Sequence, residues 1–86
     1  MLHINHPNPF NQYTTIAFST MKSDWVNLEV YNSLGEKVAV LVDEILPAGL
    51  HSVVFNAVGL PSGIYVVSMT FASDNFSELM KINILK

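Results

Sequence analysis

Six stretches of this chain read as strands, several alternating apolar and polar side chains with a period of two, and Gly, Pro and Asn stand between them. They are TTIAFS (14–19), WVNLEVY (25–31), EKVAVLV (36–42), LHSVVF (50–55), GIYVVSMTF (63–71) and FSELMKINILK (76–86). Successive side chains of a strand point to opposite faces, so this period predicts strands. A short run near Leu2 to Ile4 is a candidate seventh. The best helical competitor is EKVAVLVDEIL. Its Val38, Val40 and Val42 favour a strand, because β-branched side chains lose rotamer freedom in a helix. Short strands at regular spacing, punctuated in this way, predict an all-β sandwich or small barrel.

The connections carry turn chemistry. YNSLGEK suits a type I turn followed by a left-handed residue, with Gly35 in that place because it lacks a Cβ. LPAG (46–49) and LPSG (60–63) share a form in which Pro47 and Pro61 preset φ, and Gly49 and Gly63 close the turn. SDN (73–75) separates the last two runs. Val26, Leu28 and Val30 share one face of the second run. Val53, Phe55, Tyr65, Val67 and Met69 are expected to point inward. Ile64 and Val66 make the other face of the fifth run apolar as well, which predicts a central strand.

The ending is unusual. In MKINILK, Met80, Ile82 and Ile84 fall on one side, and Lys81 and Asn83 on the other. Domains commonly end in a frayed polar tail. Here an apolar strand is expected to run almost to the last residue.

Composition removes several function classes. Half the residues are hydrophobic and 13% are charged, which is too apolar for a disordered tail. The 86 residues make a single domain near the small end of what folds alone, so core positions should tolerate little. Net charge is −3, and Lys22, Lys37, Lys81 and Lys86 are scattered with no Arg. Nucleic acid needs clustered cations that displace counterions, so it is not an expected partner. The absence of Cys excludes disulfides, zinc–thiolate sites and Cys nucleophiles. The first residues do not form a signal peptide, and no run reaches the roughly 18 apolar residues of a membrane span. The expectation is a cytoplasmic protein or a piece of a longer exported chain, without membrane insertion of its own.

Catalytic and metal chemistry finds no frame. His3 and His6 are three apart, a ligand spacing for a helix but not for a strand, so they read as loop or surface residues. His51 reads as a surface cross-strand residue. Asp24, Asp43, Glu44, Asp74 and Glu78 fall at or near strand ends and turns, where solvated caps are the expected role. No phosphate loop or nucleophile elbow is present. No catalytic residue, cofactor or metal is therefore expected. LPSG and LPAG lack the Thr of the LPxTG sortase signal. NFS (75–77) is a glycosylation sequon by pattern only. Trp25, Tyr13 and Tyr31 are expected to cover the sheet, with an exposed carbohydrate platform as the competing reading.

Five strings follow one another in order: HPNPFNQYTTIAF (6–18), VNLEVYNSLGEKVAVLV (26–42), PAGLHSVVFNA (47–57), LPSGIYVVSM (60–69) and the closing KINILK. Together they resemble the type A C-terminal sorting domain of the bacterial type IX secretion system, found on exported proteins of Bacteroidetes and relatives. The immunoglobulin-like domain of the flagellar hook-capping protein is similar too. The resemblance covers residues 5 to 86.

It implies an immunoglobulin-like antiparallel sandwich of about seven short strands, set at the end of a larger cargo. It also implies a non-catalytic export signal that carries the cargo through the periplasm and across the outer membrane to the surface or medium. A surface sortase then removes the domain or exchanges it for an anchor. The implied partners are the outer-membrane translocon, that sortase and the fused upstream cargo. The residues carried over as structural motif are Asn8, Pro9, Phe10 and Asn11, the hairpin at Leu34 and Gly35, then Gly49, Gly63 and Tyr65. The sorting segment is Lys81, Ile82, Asn83, Ile84, Leu85 and Lys86. Two departures stand out. Many members have Arg where Glu36 and Lys37 lie and more cations in the last strand, and Phe55 stands where Trp is common. An immunoglobulin-like spacer or carbohydrate-binding accessory module is the alternative.

Overall fold

The computed structural model describes residues 1–3, 12–73 and 77–86. Among them six strands run β1 (Tyr13–Thr20), β2 (Asp24–Tyr31), β3 (Lys37–Leu46), β4 (Gly49–Asn56), β5 (Gly63–Phe71) and β6 (Ser77–Ile84). All pairings are antiparallel. β1 and β4 form one sheet, and β3-β2-β5-β6 form the other. No pairing joins the two sheets among the described residues, so the barrel alternative is not met.

Both sheets contribute to a single core. Ile16, Phe18 and Phe55 come from the small sheet, and Val26, Leu28, Val30, Tyr65, Val67, Met69, Ile82 and Ile84 from the large one; all are buried. The inward faces follow the period of two, as the alternation requires. Val53 is only half-buried, while Phe55 two residues on is fully enclosed. β5 lies between β2 and β6 as its apolar faces predict.

The candidate seventh strand is a short ladder on the free side of β1. Leu2 bridges Phe18, His3 N donates to Ala17 O at 2.9 Å, and Ser19 N donates to Met1 O at 2.7 Å. Ile4 lies outside the described residues, as do His6, Asn8, Pro9, Phe10, Asn11 and Asp74, and also Asn75 and Phe76 of the sequon.

β3 runs four residues past the expected end at Val42, to Leu46. Its last residues pair with the beginning of β2, Ile45 opposite Trp25 and Leu46 opposite Asp24. Asp43 and Glu44 therefore lie within a strand rather than at a turn. An edge strand tolerates such charges because they face solvent.

The β2–β3 hairpin has the turn that its sequence predicts. Gly35 N donates to Asn32 O at 3.0 Å, Asn32 N donates to Glu36 O at 2.9 Å, and Gly35 has φ 81°. Asn32 Oδ1 also accepts from Leu34 N and Glu36 N, each at 2.9 Å. Gly49 (φ 132°) and Gly63 (φ 153°) end the LPAG and LPSG segments and are the first residues of β4 and β5.

Candidate functional site

β6 joins the core through one face only. Ile82 and Ile84 are buried, opposite Tyr65 and Gly63 of β5. Tyr65 is itself buried, and its hydroxyl donates to Pro61 O at 2.7 Å. Lys81 is exposed opposite Val66, Leu85 is 53% exposed, and Asn83 is half-buried. The expected sorting segment is thus divided. Ile82 and Ile84 hold the strand down, and Lys81, Asn83, Leu85 and Lys86 supply its accessible surface.

The direction of the β6 backbone follows from a bond two strands away. Ala72 N donates to Trp25 O at 3.1 Å, continuing the register in which Val26 faces Phe71. Backbone groups alternate sides along a strand, so the even residues of β5 face β2 and the odd ones face β6. Gly63, Tyr65, Val67 and Met69 therefore meet Ile84, Ile82, Met80 and Glu78. The N–H and C=O of Leu79 and Lys81 turn to the opposite side, where no strand pairs among the described residues.

Past the strand, the chain is held at its end. Lys86 N donates to Ser62 Oγ at 2.9 Å, and Lys86 Nζ donates to Ala57 O at 3.0 Å. Ala57 is buried, with its N bonded to Gln12 O at 2.7 Å. A shallow cleft of about 280 Å³ lies here, lined by Gln12, Val58, Gly59 and Lys86. Ala57 O also accepts from Leu60 N across a turn with Gly59 at φ 91°. Sequence reading missed Ser62 and this turn. A Gly before Leu-Pro was the available signal for the turn, but Ser62 was read only as part of one.

At the other end of β6, Glu78 reaches across to the small sheet, where its Oε1 accepts from Leu2 N at 2.8 Å. A larger cleft of about 690 Å³ opens at this end, with Met21, Met69 and Phe71 among its lining and Asp24 and Glu78 as its carboxylates.

Several other polar groups are engaged in structure. On the outer face of the large sheet, Glu29 accepts from Lys37 Nζ at 2.8 Å and from Tyr31 OH at 2.7 Å. These bonds, Lys37 first, hold the Glu29 carboxyl below its usual range, and the same contact raises both Tyr31 and Lys37. The Ser73 hydroxyl lowers Asp24. His51 stacks on Phe18, ring centroids 5.4 Å apart, with its Nε2 2.8 Å from Pro47 O. His3 lies beside β1 and is half-buried, and its Nε2 has no hydrogen-bond partner among the described residues.

The three aromatic residues do not make a platform. Tyr13 begins the small sheet, whereas Trp25 and Tyr31 sit at opposite ends of β2, about 20 Å apart at strand rise. Trp25 Nε1 donates to Asp43 Oδ1 at 2.8 Å, and the Tyr31 hydroxyl donates to Glu29. Among the described residues no group of three His, Asp or Glu is placed to hold a metal ion. No helix there is long and apolar enough to cross a membrane.

A family model described as the secretion system C-terminal sorting domain matches residues 5–84. No curated protein and no solved structure matches the chain.

Proposed function

The chain belongs to the secretion system C-terminal sorting domain family, and from that premise we propose that β6 and the residues after it are the part of the signal that is read. Family membership makes the domain a non-catalytic secretion signal for cargo of the type IX system, exported to the cell surface or beyond. Members of the family are linked to that system's translocon and sortase machinery. The reading of β6 rests on one observation: Ile82 and Ile84 are fully buried, while Lys81 on the same strand and Leu85 just past it stand exposed. A strand so fixed presents a constant pattern to a receptor at little entropic cost.

In this reading the domain is the terminal module of a larger exported protein and an immunoglobulin-like sandwich by descent. The two sheets around one core support the second point. The outer-membrane translocon engages Lys81, Asn83, Leu85 and Lys86, and the surface sortase later removes the domain or exchanges it for an anchor. Gly35, Gly49, Gly63 and Tyr65 serve the signal indirectly by shaping the turns and holding β5 against β6.

A reporter carrying a secretory signal and followed by residues 1–86 tests the reading in a type IX-competent host. The reporter should reach the surface there and stop in the periplasm of a host lacking the translocon. Periplasmic retention of the folded fusion in both hosts would overturn it.

A further inference from the structure

An open sheet edge is a row of backbone donors and acceptors that another strand can occupy, and folded proteins blunt such edges with bulges or charge. Four of the named strands, β1, β3, β4 and β6, lie at edges, and residues 1–3 run along part of the β1 edge. The β3 edge is interrupted by two register shifts against β2 and carries Lys37, Asp43 and Glu44. The β6 edge carries Lys81 and the inward-turned Glu78. β4 has neither protection. Its register with β1 is unbroken from Tyr13 opposite Asn56 to Thr20 opposite Gly49, and GLHSVVFN contains no Asp, Glu, Lys or Arg.

The backbone groups of β4 that no strand pairs among the described residues can be assigned. Ala57 N donates to Gln12 O, one step beyond the Tyr13–Asn56 pair. By the alternation of a strand, His51, Val53 and Phe55 then face β1, and Leu50, Ser52 and Val54 turn outward from the sheet edge. The bonds from Ser19 to Met1 and from His3 to Ala17 agree, since they commit the odd residues of β1 to its other side. Leu50 and Val54 are also 75% and 59% exposed.

We propose that β4 pairs antiparallel with β4 of a second copy of this chain, about a two-fold axis through Ser52. In that register Leu50 faces the partner's Val54, Val54 faces the partner's Leu50, and the two Ser52 residues face each other. The outward residues of the strand thus complement themselves, which an isologous contact requires. Apolar side chains meet apolar ones, and no like charges are opposed. A second copy is the favoured occupant because its strand supplies this match without any further sequence requirement. The contact is independent of the sorting role and lies on a different edge from β6.

Sedimentation equilibrium of the chain in 0.15 M salt (a Debye length of about 8 Å), from about 10 μM to about 1 mM, should show a monomer–dimer equilibrium. Val54→Lys places a charge opposite Leu50 twice per dimer, and should raise the dissociation constant about tenfold or more. Leu79→Lys makes the same change on β6 and should leave it unaltered. The chain has no Cys, so Ser52→Cys gives a single thiol. Directly opposed Cα atoms lie about 5.5 Å apart, within disulfide reach. Ser52→Cys should cross-link under mild oxidation, whereas Thr15→Cys, exposed on β1 and away from the proposed contact, should not. Circular dichroism checks that each variant is folded. A monomer throughout the range, a dimer indifferent to Val54→Lys, or folded Ser52→Cys that does not cross-link would overturn the proposal.

Discussion

The Lys86 ammonium donates to the carbonyl oxygen of Ala57 at 3.0 Å, across 29 residues of sequence. Lys86 N bonds to Ser62 as well, so the second residue past β6 is tied at two points to the loop before β5. A net intramolecular hydrogen bond contributes about 0.5–1.5 kcal/mol, toward the upper end when a charge is involved. Lys86→Gln and Ser62→Ala should each lower unfolding stability by about that amount, read by urea denaturation. A double variant should fall short of the sum, because both bonds restrain the same segment.

Gly35 is held by conformation, not by space. Its φ is 81°, and a Cβ built there meets nothing within 4 Å. Gly35→Val should therefore cost about 1–2 kcal/mol from the left-handed backbone alone. Gly35→Asn should cost less, since Asn visits that region more readily. Equal melting temperatures for the two variants would contradict this account of the hairpin.

The Glu29–Lys37–Tyr31 cluster gives a pH dependence. The folded pKa of Glu29 is held below 4.5, chiefly by the Lys37 hydrogen bond and then by Tyr31. The folded state therefore binds the proton less readily than the unfolded chain. The stabilisation is fully present above the unfolded pKa and is lost as pH falls through the lower folded value. Tyr31 and Lys37 are raised above 10.0 and 10.5, so their contributions are lost as pH climbs through the raised values. Stability measured between about pH 2 and pH 6 should decline less steeply toward acid in Glu29→Gln. The Lys37 side chain is half exposed, so salt should weaken the effect.

Ile84 is fully buried at the end of the last strand. Ile84→Ala should cost about 2–5 kcal/mol through lost transfer energy and the cavity left behind. That is a large share of the roughly 5–15 kcal/mol available to a small domain. The denaturation midpoint should drop sharply. Leu85→Ala, at an exposed position, should stay within about 0.5 kcal/mol of the parent.

Much of this was legible in the sequence because local chemistry and burial agree. The alternation of Val26, Leu28 and Val30 sets the inner face of β2, and Met80, Ile82 and Ile84 set that of β6. Asn32 and Gly35 specify their turn by side-chain bonding and positive φ. The far end of β3 was not legible, because Asp43 and Glu44 look like turn residues until pairing with β2 makes them an exposed edge. Contacts between distant segments left no periodic trace. Nothing local indicates that Glu78 reaches Leu2 or that Lys86 seats on Ala57 and Ser62.

The central claim is that the exposed side of the terminal strand is read, while its buried side only anchors it. The most direct measurement is the surface export rate of a reporter fused to the domain carrying Lys81→Gln and Leu85→Ser together, in a type IX-competent host. Both positions are exposed, so the melting temperature should match the parent closely. The account predicts that this folded variant accumulates in the periplasm. Export at the parental rate, with melting unchanged, would contradict it and leave β6 as a strand that only completes the sheet.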